Sequence, residues 1–290
     1  MPISEIRHFD EHYYSAPDGL RLFARVYGAA NATQGTVACL PGLTRNCRDF
    51  HNLALHLSGA GKQVVCFDYR GRGQSDYDLD SSRYNVVTEA GDVIAGLDSL
   101  LVESADFIGT SRGGIIIHFL AAMRPDLIKF IVFNDIGPVI EVAGLMRIKT
   151  GLARSPQPRD WQDAINIQRN LHGREFPALT LNDWAIHARA IYRDDEQGGI
   201  AADFDLNLVK TLQAIDPSVP LPTLWPQFDG LAKHRLLVIR GENSKLFAHE
   251  TMKEMSTRHK DMQTVTAAGQ GHAPMLWTAG LPERIAAFLT

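Results

Sequence analysis

One pentapeptide constrains this chain more than any other feature: Gly109-Thr110-Ser111-Arg112-Gly113. It stands between a short apolar run, Asp106-Phe107-Ile108, and a helix-like run from Gly114 to Met123. A strand that turns sharply through a serine into a helix needs almost no side chain two residues before and two residues after it. The serine hydroxyl then projects from the turn, with the N-terminus of the helix beneath it. Ser111 is therefore the candidate nucleophile.

The pattern around the pentapeptide alternates. Tyr13–Ala16 and Leu20–Tyr27 read as strands around the turn signal Pro17-Asp18-Gly19. Thr36–Leu40, Val64–Asp68, Ile128–Asp135, Arg235–Arg240 and Met262–Ala267 are further strand-like runs. Helical patterns cover Arg48–Gly59, Thr88–Leu101 with Thr88 as its expected N-cap, Ala248–Thr257 and Leu281–Leu289. Strands that are continuously apolar and separated by helices predict an α/β protein with a mostly parallel, doubly wound sheet covered on both faces. Between Ile136 and His234 the alternation stops. Helices are expected near 139–150, 159–171, 181–192 and 204–213, followed by a proline-rich loop over 217–226. The predicted organisation is a core of residues 1–136 and 234–290, interrupted by a helical cap, or lid, over 137–233.

Composition narrows the function classes. The chain has 290 residues, 45% apolar and 21% charged, with a formal net charge of −4. That is ordinary for a soluble globular protein and leaves no basic footprint for nucleic acid. The N-terminus lacks the apolar core of a signal peptide, and no run is long enough to span a bilayer, so the expected location is cytoplasmic with no membrane partner. Three cysteines, Cys39, Cys47 and Cys66, are too few and too uneven for a disulfide framework. No cysteine or histidine pair has metal-ligand spacing, so neither a metal nor a cofactor is expected. The expected partner is a small-molecule substrate.

A serine hydroxyl needs a base at neutral pH. His272, in Gly269-Gln270-Gly271-His272-Ala273-Pro274, follows the last expected strand, at the sheet edge where sites form in open parallel sheets. An oxyanion intermediate needs donors. The backbone N–H of Arg112, directly after the serine, is one; the second is expected from Leu43, in the loop Leu40-Pro41-Gly42-Leu43-Thr44-Arg45-Asn46.

Four segments together resemble the α/β-hydrolase superfamily of esterases, lactonases and C–C-bond hydrolases: Leu40-Pro41-Gly42, Asp68-Tyr69-Arg70-Gly71-Arg72-Gly73-Gln74-Ser75, the turn at Ser111, and Gly271-His272-Ala273-Pro274. The resemblance implies an α/β-hydrolase fold and a serine hydrolase working by acyl transfer on a small ester, lactone, amide or C–C-bond substrate. It also implies an acid after the seventh strand, often within Arg-Gly-x-x-Ser-Asp. Here that stretch reads Arg240-Gly241-Glu242-Asn243-Ser244-Lys245, with a lysine where the aspartate belongs. Lysine cannot accept the imidazole N–H. Three arrangements compete, Asp135 at the end of the preceding strand, Glu242 from the usual loop, or no acid at all, and the place of Asp135 at a strand's C-terminal end makes it the expected acid.

Substrate choice is expected to rest with the cap and the Leu43 loop. The arginines and aromatics of that region make Arg45, Arg189, Tyr192 and Trp225 the candidate substrate-binding residues, with an arginine holding a substrate carboxylate in bidentate fashion. Two other classes compete with a serine hydrolase: a cofactor-free oxygenase or lyase on the same fold, and a non-catalytic ligand-binding protein. A dehalogenase is disfavoured, because its turn would carry aspartate.

Overall fold

The computed structural model describes residues 8–290 except 155, 196 and 214, and the elements below are those of the described residues. The chain opens with a hairpin, β1 (Asp10–Ser15) and β2 (Arg21–Tyr27), turning at Gly19 with φ 88°. Then follow β3 (Thr36–Leu40), α1 (His51–Gly59), β4 (Gln63–Asp68), α2 (Val86–Ser99), β5 (Ala105–Thr110), α3 (Arg112–Met123) and β6 (Ile128–Asn134). Residues beyond β6 hold α4 (Val142–Arg154), α5 (Trp161–His172), α6 (Leu181–Ile191), the strands β7 (Tyr192–Asp194) and β8 (Ile200–Ala202), α7 (Leu208–Gln213) and α8 (Trp225–Asp229). The alternation returns with β9 (Arg235–Gly241), α9 (His249–Arg258), β10 (Met262–Ala267) and α10 (Leu281–Phe288).

Eight strands form one sheet in the order β1-β2-β4-β3-β5-β6-β9-β10. β1, β2 and β4 pair antiparallel in succession; every pairing from β4 to β10 is parallel. The central strands are buried on both faces, which is why they read as unbroken apolar runs. One core layer gathers Phe67, Phe107, Ile131 and Val238 against α2 and α3; the other gathers Val64, Ile108, Val132 and Ile239 against α1 and α10. Cys39 and Cys66 are register partners on β3 and β4, and all three cysteines are buried free thiols.

Several expected boundaries move. α2 begins at Val86, because the Asn85 side chain accepts the Val87 and Thr88 N–H groups; Asn85, not Thr88, is the N-cap. Tyr192 leaves the helical pattern and opens a short antiparallel pair with Ile200–Ala202, a pairing too brief for periodicity to reveal. Trp225 lies in a one-turn helix instead of a loop, with Pro226 at its first turn, where a missing N–H costs nothing. Among the described residues, no helix is long and apolar enough to cross a membrane.

The segment between β6 and β9 is tied to the sheet domain by polar contacts. Asn46 Nδ2 donates to the Ala190 carbonyl at 2.9 Å, and Arg48 pairs with Asp203 at 2.6 Å. The Asp205 N–H donates to the Gly71 carbonyl at 2.7 Å.

Candidate active site

The turn from β5 into α3 is as tight as its glycines imply. A Cβ on Gly113 would stand 2.1 Å from the Leu40 carbonyl oxygen, and one on Gly109 would stand 2.6 Å from the Gly113 backbone. Ser111 itself adopts φ 51° and ψ −113°, a conformation an L-residue rarely holds. Its N–H is anchored to the Asn134 carbonyl at 3.1 Å. Strain of this kind persists only where the surroundings over-determine it, here by β3 and β6 on either side.

His272 Nε2 lies 2.9 Å from Ser111 Oγ, and His272 Nδ1 lies 2.7 Å from Asp135 Oδ2. Asp135 is fully buried and also sits at positive φ, 56°. Its carboxylate accepts two further hydrogen bonds, from the Gly241 N–H at 2.7 Å and from the Ser244 hydroxyl at 2.5 Å. The structure therefore brings Ser111, His272 and Asp135 into one hydrogen-bonded chain. Glu242 is not part of it: its carboxylate accepts the Gly269 N–H at 2.7 Å and shapes the loop that leads to His272. Adjacency of strands explains the geometry. β6 and β9 are parallel neighbours, with Asn134 beside Ile239, so a carboxylate just past either strand reaches the same imidazole.

Ser244 was invisible as a functional residue in the sequence. The only signal is its offset: it occupies the serine of the Arg-Gly-x-x-Ser pattern. Its Oγ also accepts the Leu246 and Phe247 N–H groups at 3.3 Å each, which fixes its direction toward Asp135.

Both expected oxyanion donors belong to segments next to Ser111: Arg112 follows it in the chain, and Leu43 follows Gly42. A Cβ on Gly42 would lie 3.9 Å from Ser111 Cβ, so the loop backbone passes close to the serine. Among the described residues, neither the Leu43 nor the Arg112 N–H is taken by another protein group. Both residues are tied to a buried ionic frame. Arg72 Nε donates to the Leu43 carbonyl at 2.8 Å, and Arg72 Nη1 pairs with Glu89 at 2.8 Å. The second Glu89 oxygen takes Arg112 Nε at 2.6 Å. Burial pushes the Glu89 carboxyl upward, but the Arg112 and Arg72 guanidiniums outweigh it and hold the group below its ordinary value. Arg70 is equally buried, against Asp18, Asp78 and Asp92, so the segment 68–75 is an internal scaffold beneath the site.

Ser111 and His272 open into a cavity of about 810 Å³, whose far walls come from α4, α5, α6 and the β7–β8 hairpin. The four expected substrate-binding residues divide. Arg45 and Tyr192 line the cavity, but Arg45 is clamped by Asp49 and the Tyr192 hydroxyl is held by Gln168 Nε2 at 2.8 Å. Arg189 and Trp225 lie outside the lining. Helical phase explains Arg189: His187 and Ile191 face the cavity, so the residue between them points away, exposed and stacked 3.8 Å over Trp161. Trp225 packs edge-on against Phe228 and beneath Arg258, on the α3 side of the sheet. His172 and His187 line the cavity in their place. Burial, with Arg45 adding to it, pushes His172 down to about 4 and His187 well below the usual imidazole value, so both are neutral. Among the described residues, no group of three His, Cys, Asp or Glu side chains has metal-binding geometry.

A family model described as the alpha/beta hydrolase fold matches residues 35–279. A 3-hydroxybutyrate-oligomer hydrolase of Cupriavidus necator is 29% identical over 89% of both chains. A 2-(acetamidomethylene)succinate hydrolase of Mesorhizobium japonicum is 26% identical over 80% of this chain and 79% of its own. Among solved structures, an alpha/beta hydrolase from Novosphingobium aromaticivorans superposes with a TM-score of 0.90 at 34% identity, covering 98% of this chain and 99% of that one.

Proposed function

The chain belongs to the alpha/beta-hydrolase fold family, and from that premise we propose that it is a serine hydrolase cleaving short esters that carry a free carboxylate. The observation that carries the reading is the Ser111–His272–Asp135 hydrogen-bonded chain, whose serine and histidine line a large cavity. The relatives support the substrate class: the two described above are hydrolases of a hydroxy-acid oligomer and of a substituted succinate.

The reaction runs in two halves. His272 Nε2 accepts the Ser111 proton as Oγ attacks the ester carbonyl, and Asp135 holds the Nδ1 proton so that Nε2 is free to accept. The carbonyl oxygen becomes an oxyanion facing the Leu43 and Arg112 N–H groups; losing one such donor costs about 3–4 kcal/mol of transition-state stabilisation. The imidazolium then gives its proton to the leaving alkoxide, which leaves Ser111 acylated. Water enters and gives a proton to His272 as its oxygen attacks the acyl carbonyl; the C–Oγ bond then breaks, the imidazolium returns the proton to Ser111 Oγ, and the acid product departs. Residues 137–233 act as a cap: their helices and hairpin wall the cavity and select the substrate.

A fluorophosphonate probe should label wild type at Ser111, and Ser111→Ala should lose both the label and the hydrolysis of p-nitrophenyl acetate. Retained turnover in Ser111→Ala overturns the reading.

A further inference from the structure

Four cationic side chains line the cavity: Arg45, Arg147, Arg193 and Lys245. Three already hold a carboxylate of the protein, Arg193 sharing Asp203 with Arg48. Arg45 is clamped by Asp49, Arg147 pairs with Glu175 at 2.6 Å, and Arg193 pairs with Asp203 at 3.2 Å. Of the carboxylates in the lining, Asp49 and Glu175 are thus held by arginine. Asp205 accepts the Tyr84 hydroxyl at 2.5 Å and the Asn207 N–H at 2.9 Å. Two cavity histidines, His172 and His187, are neutral and offer no charge. Among the described residues Lys245 is exposed and has no hydrogen-bond or ion-pair partner in the protein, so of the four cations it is the one that no carboxylate holds.

Its backbone is also fixed. Ser244, one residue before, is bonded to Asp135, and the Leu246 carbonyl, one residue after, accepts the Glu141 N–H at 2.9 Å. On the other side α4 presses close: a Cβ on Gly144 would stand 2.3 Å from the Lys245 carbonyl oxygen. The base of the lysine side chain is therefore registered to the carboxylate that orients His272. Its flexible four-carbon stem leaves only the ammonium to adapt.

We propose that Lys245 is the anchor for the substrate's free carboxylate, the specificity determinant of the hydrolase reading on which this inference rests. A carboxylate held at Lys245 lies on the Asp135 side of the site, one residue from the serine that bonds Asp135. The shift of the acid from the β9 loop to the end of β6 is what leaves position 245 open to a cation.

The test uses the linear dimer of 3-hydroxybutyrate and its methyl ester, scored by chromatography for cleavage of the internal ester only. Wild type should prefer the free acid in kcat/KM. Lys245→Met should reduce that preference by about 10- to 100-fold, the range expected for a hydrogen bond to a charged group, and the loss should lie mainly in KM. Lys245→Arg should recover most of it, and Lys245→Glu should reverse it. A preference that survives Lys245→Met, or none in wild type, overturns the assignment. The hydrolase reading fails separately, through absent fluorophosphonate labelling of Ser111. In that event, calorimetric affinity for the acid against the methyl ester, in wild type and Lys245→Met, still decides the role of the lysine.

Discussion

Asp135→Asn tests the relocated acid most sharply, because the surroundings dictate which way the amide turns. In the native site Oδ1 accepts the Gly241 N–H at 2.7 Å, while Oδ2 faces both the Ser244 hydroxyl and His272 Nδ1. An asparagine could keep its oxygen toward Gly241, which puts the amide nitrogen against His272. The flipped rotamer would press an N–H against the Gly241 N–H in a fully buried site. That leaves two donors facing each other, at a cost of about 1–3 kcal/mol for each unsatisfied group. The first rotamer therefore wins. The amide then donates to Nδ1, the imidazole must carry its proton on Nε2, and Nε2 can no longer accept from Ser111. The same exchange in other Ser-His-Asp sites lowers kcat about ten-thousandfold, which at 1.36 kcal/mol per decade is about 5.4 kcal/mol. The assay is kcat/KM on p-nitrophenyl acetate, beside circular dichroism to show an intact fold. Imidazole ¹⁵N chemical shifts should report protonation moving from Nδ1 to Nε2. Glu242→Gln serves as the parallel variant and should stay within a few-fold of wild type. A loss below tenfold in Asp135→Asn, or a larger loss in Glu242→Gln, refutes the assignment.

Three other outcomes follow from the structure. Glu89→Gln leaves the buried Arg72 without its counter-charge and should cost about 3–5 kcal/mol in urea unfolding, with kcat falling more than KM rises as the Leu43 loop loosens. Since the Glu89 carboxyl is lowered in the folded state, its contribution is complete above the unfolded value of about 4.3 and fades as pH drops through the folded value; the variant should lose that acid-side slope. His118, buried on α3 and stacked 4.9 Å from Phe133, is pushed down to about 4 by desolvation. The unfolded chain takes up a proton near 6.5 and the folded one does not, so stability should fall by ~3 kcal/mol between pH 6.5 and 4, and His118→Phe should flatten that fall in a pH series of thermal melts. Arg189→Ala, which removes a solvent-side stack on Trp161, should leave kcat/KM within twofold.

Local rules made the core and the candidate nucleophile legible; tertiary contacts decided the rest. Ser111 and His272 are marked by glycines whose absence of a side chain is a hard steric demand, as the 2.1 Å approach at Gly113 illustrates. The sheet was readable because its central strands are buried on both faces and leave continuous apolar runs. Residues 137–233 obey weaker rules. The Tyr192–Asp194 strand is three residues long and exists only through its partner, so no periodicity announces it. Arg189 and Tyr192 looked equivalent as polar or aromatic residues near one helix end, yet Arg189 lies on the helix face opposite His187 and Ile191, while Tyr192 leaves the helix for the hairpin that walls the cavity. Arg45 looked free because Asp49, four residues on, gives no sign in sequence of whether the pair closes.

The displaced acid and the lysine at 245 are best understood as one arrangement. A carboxylate in the family's usual place after β9 would stand at position 245, and the lysine there cannot serve the imidazole. With the carboxylate moved one strand over, Ser244 keeps its hydrogen bond to it, now donated across from the β9 loop at 2.5 Å. The loop thus still supports His272 through Asp135, while its next residue is released to meet a ligand. If both proposals hold, the strand adjacency that lets a carboxylate after either β6 or β9 reach His272 also lets a single loop support the acid through Ser244 and meet the substrate through Lys245.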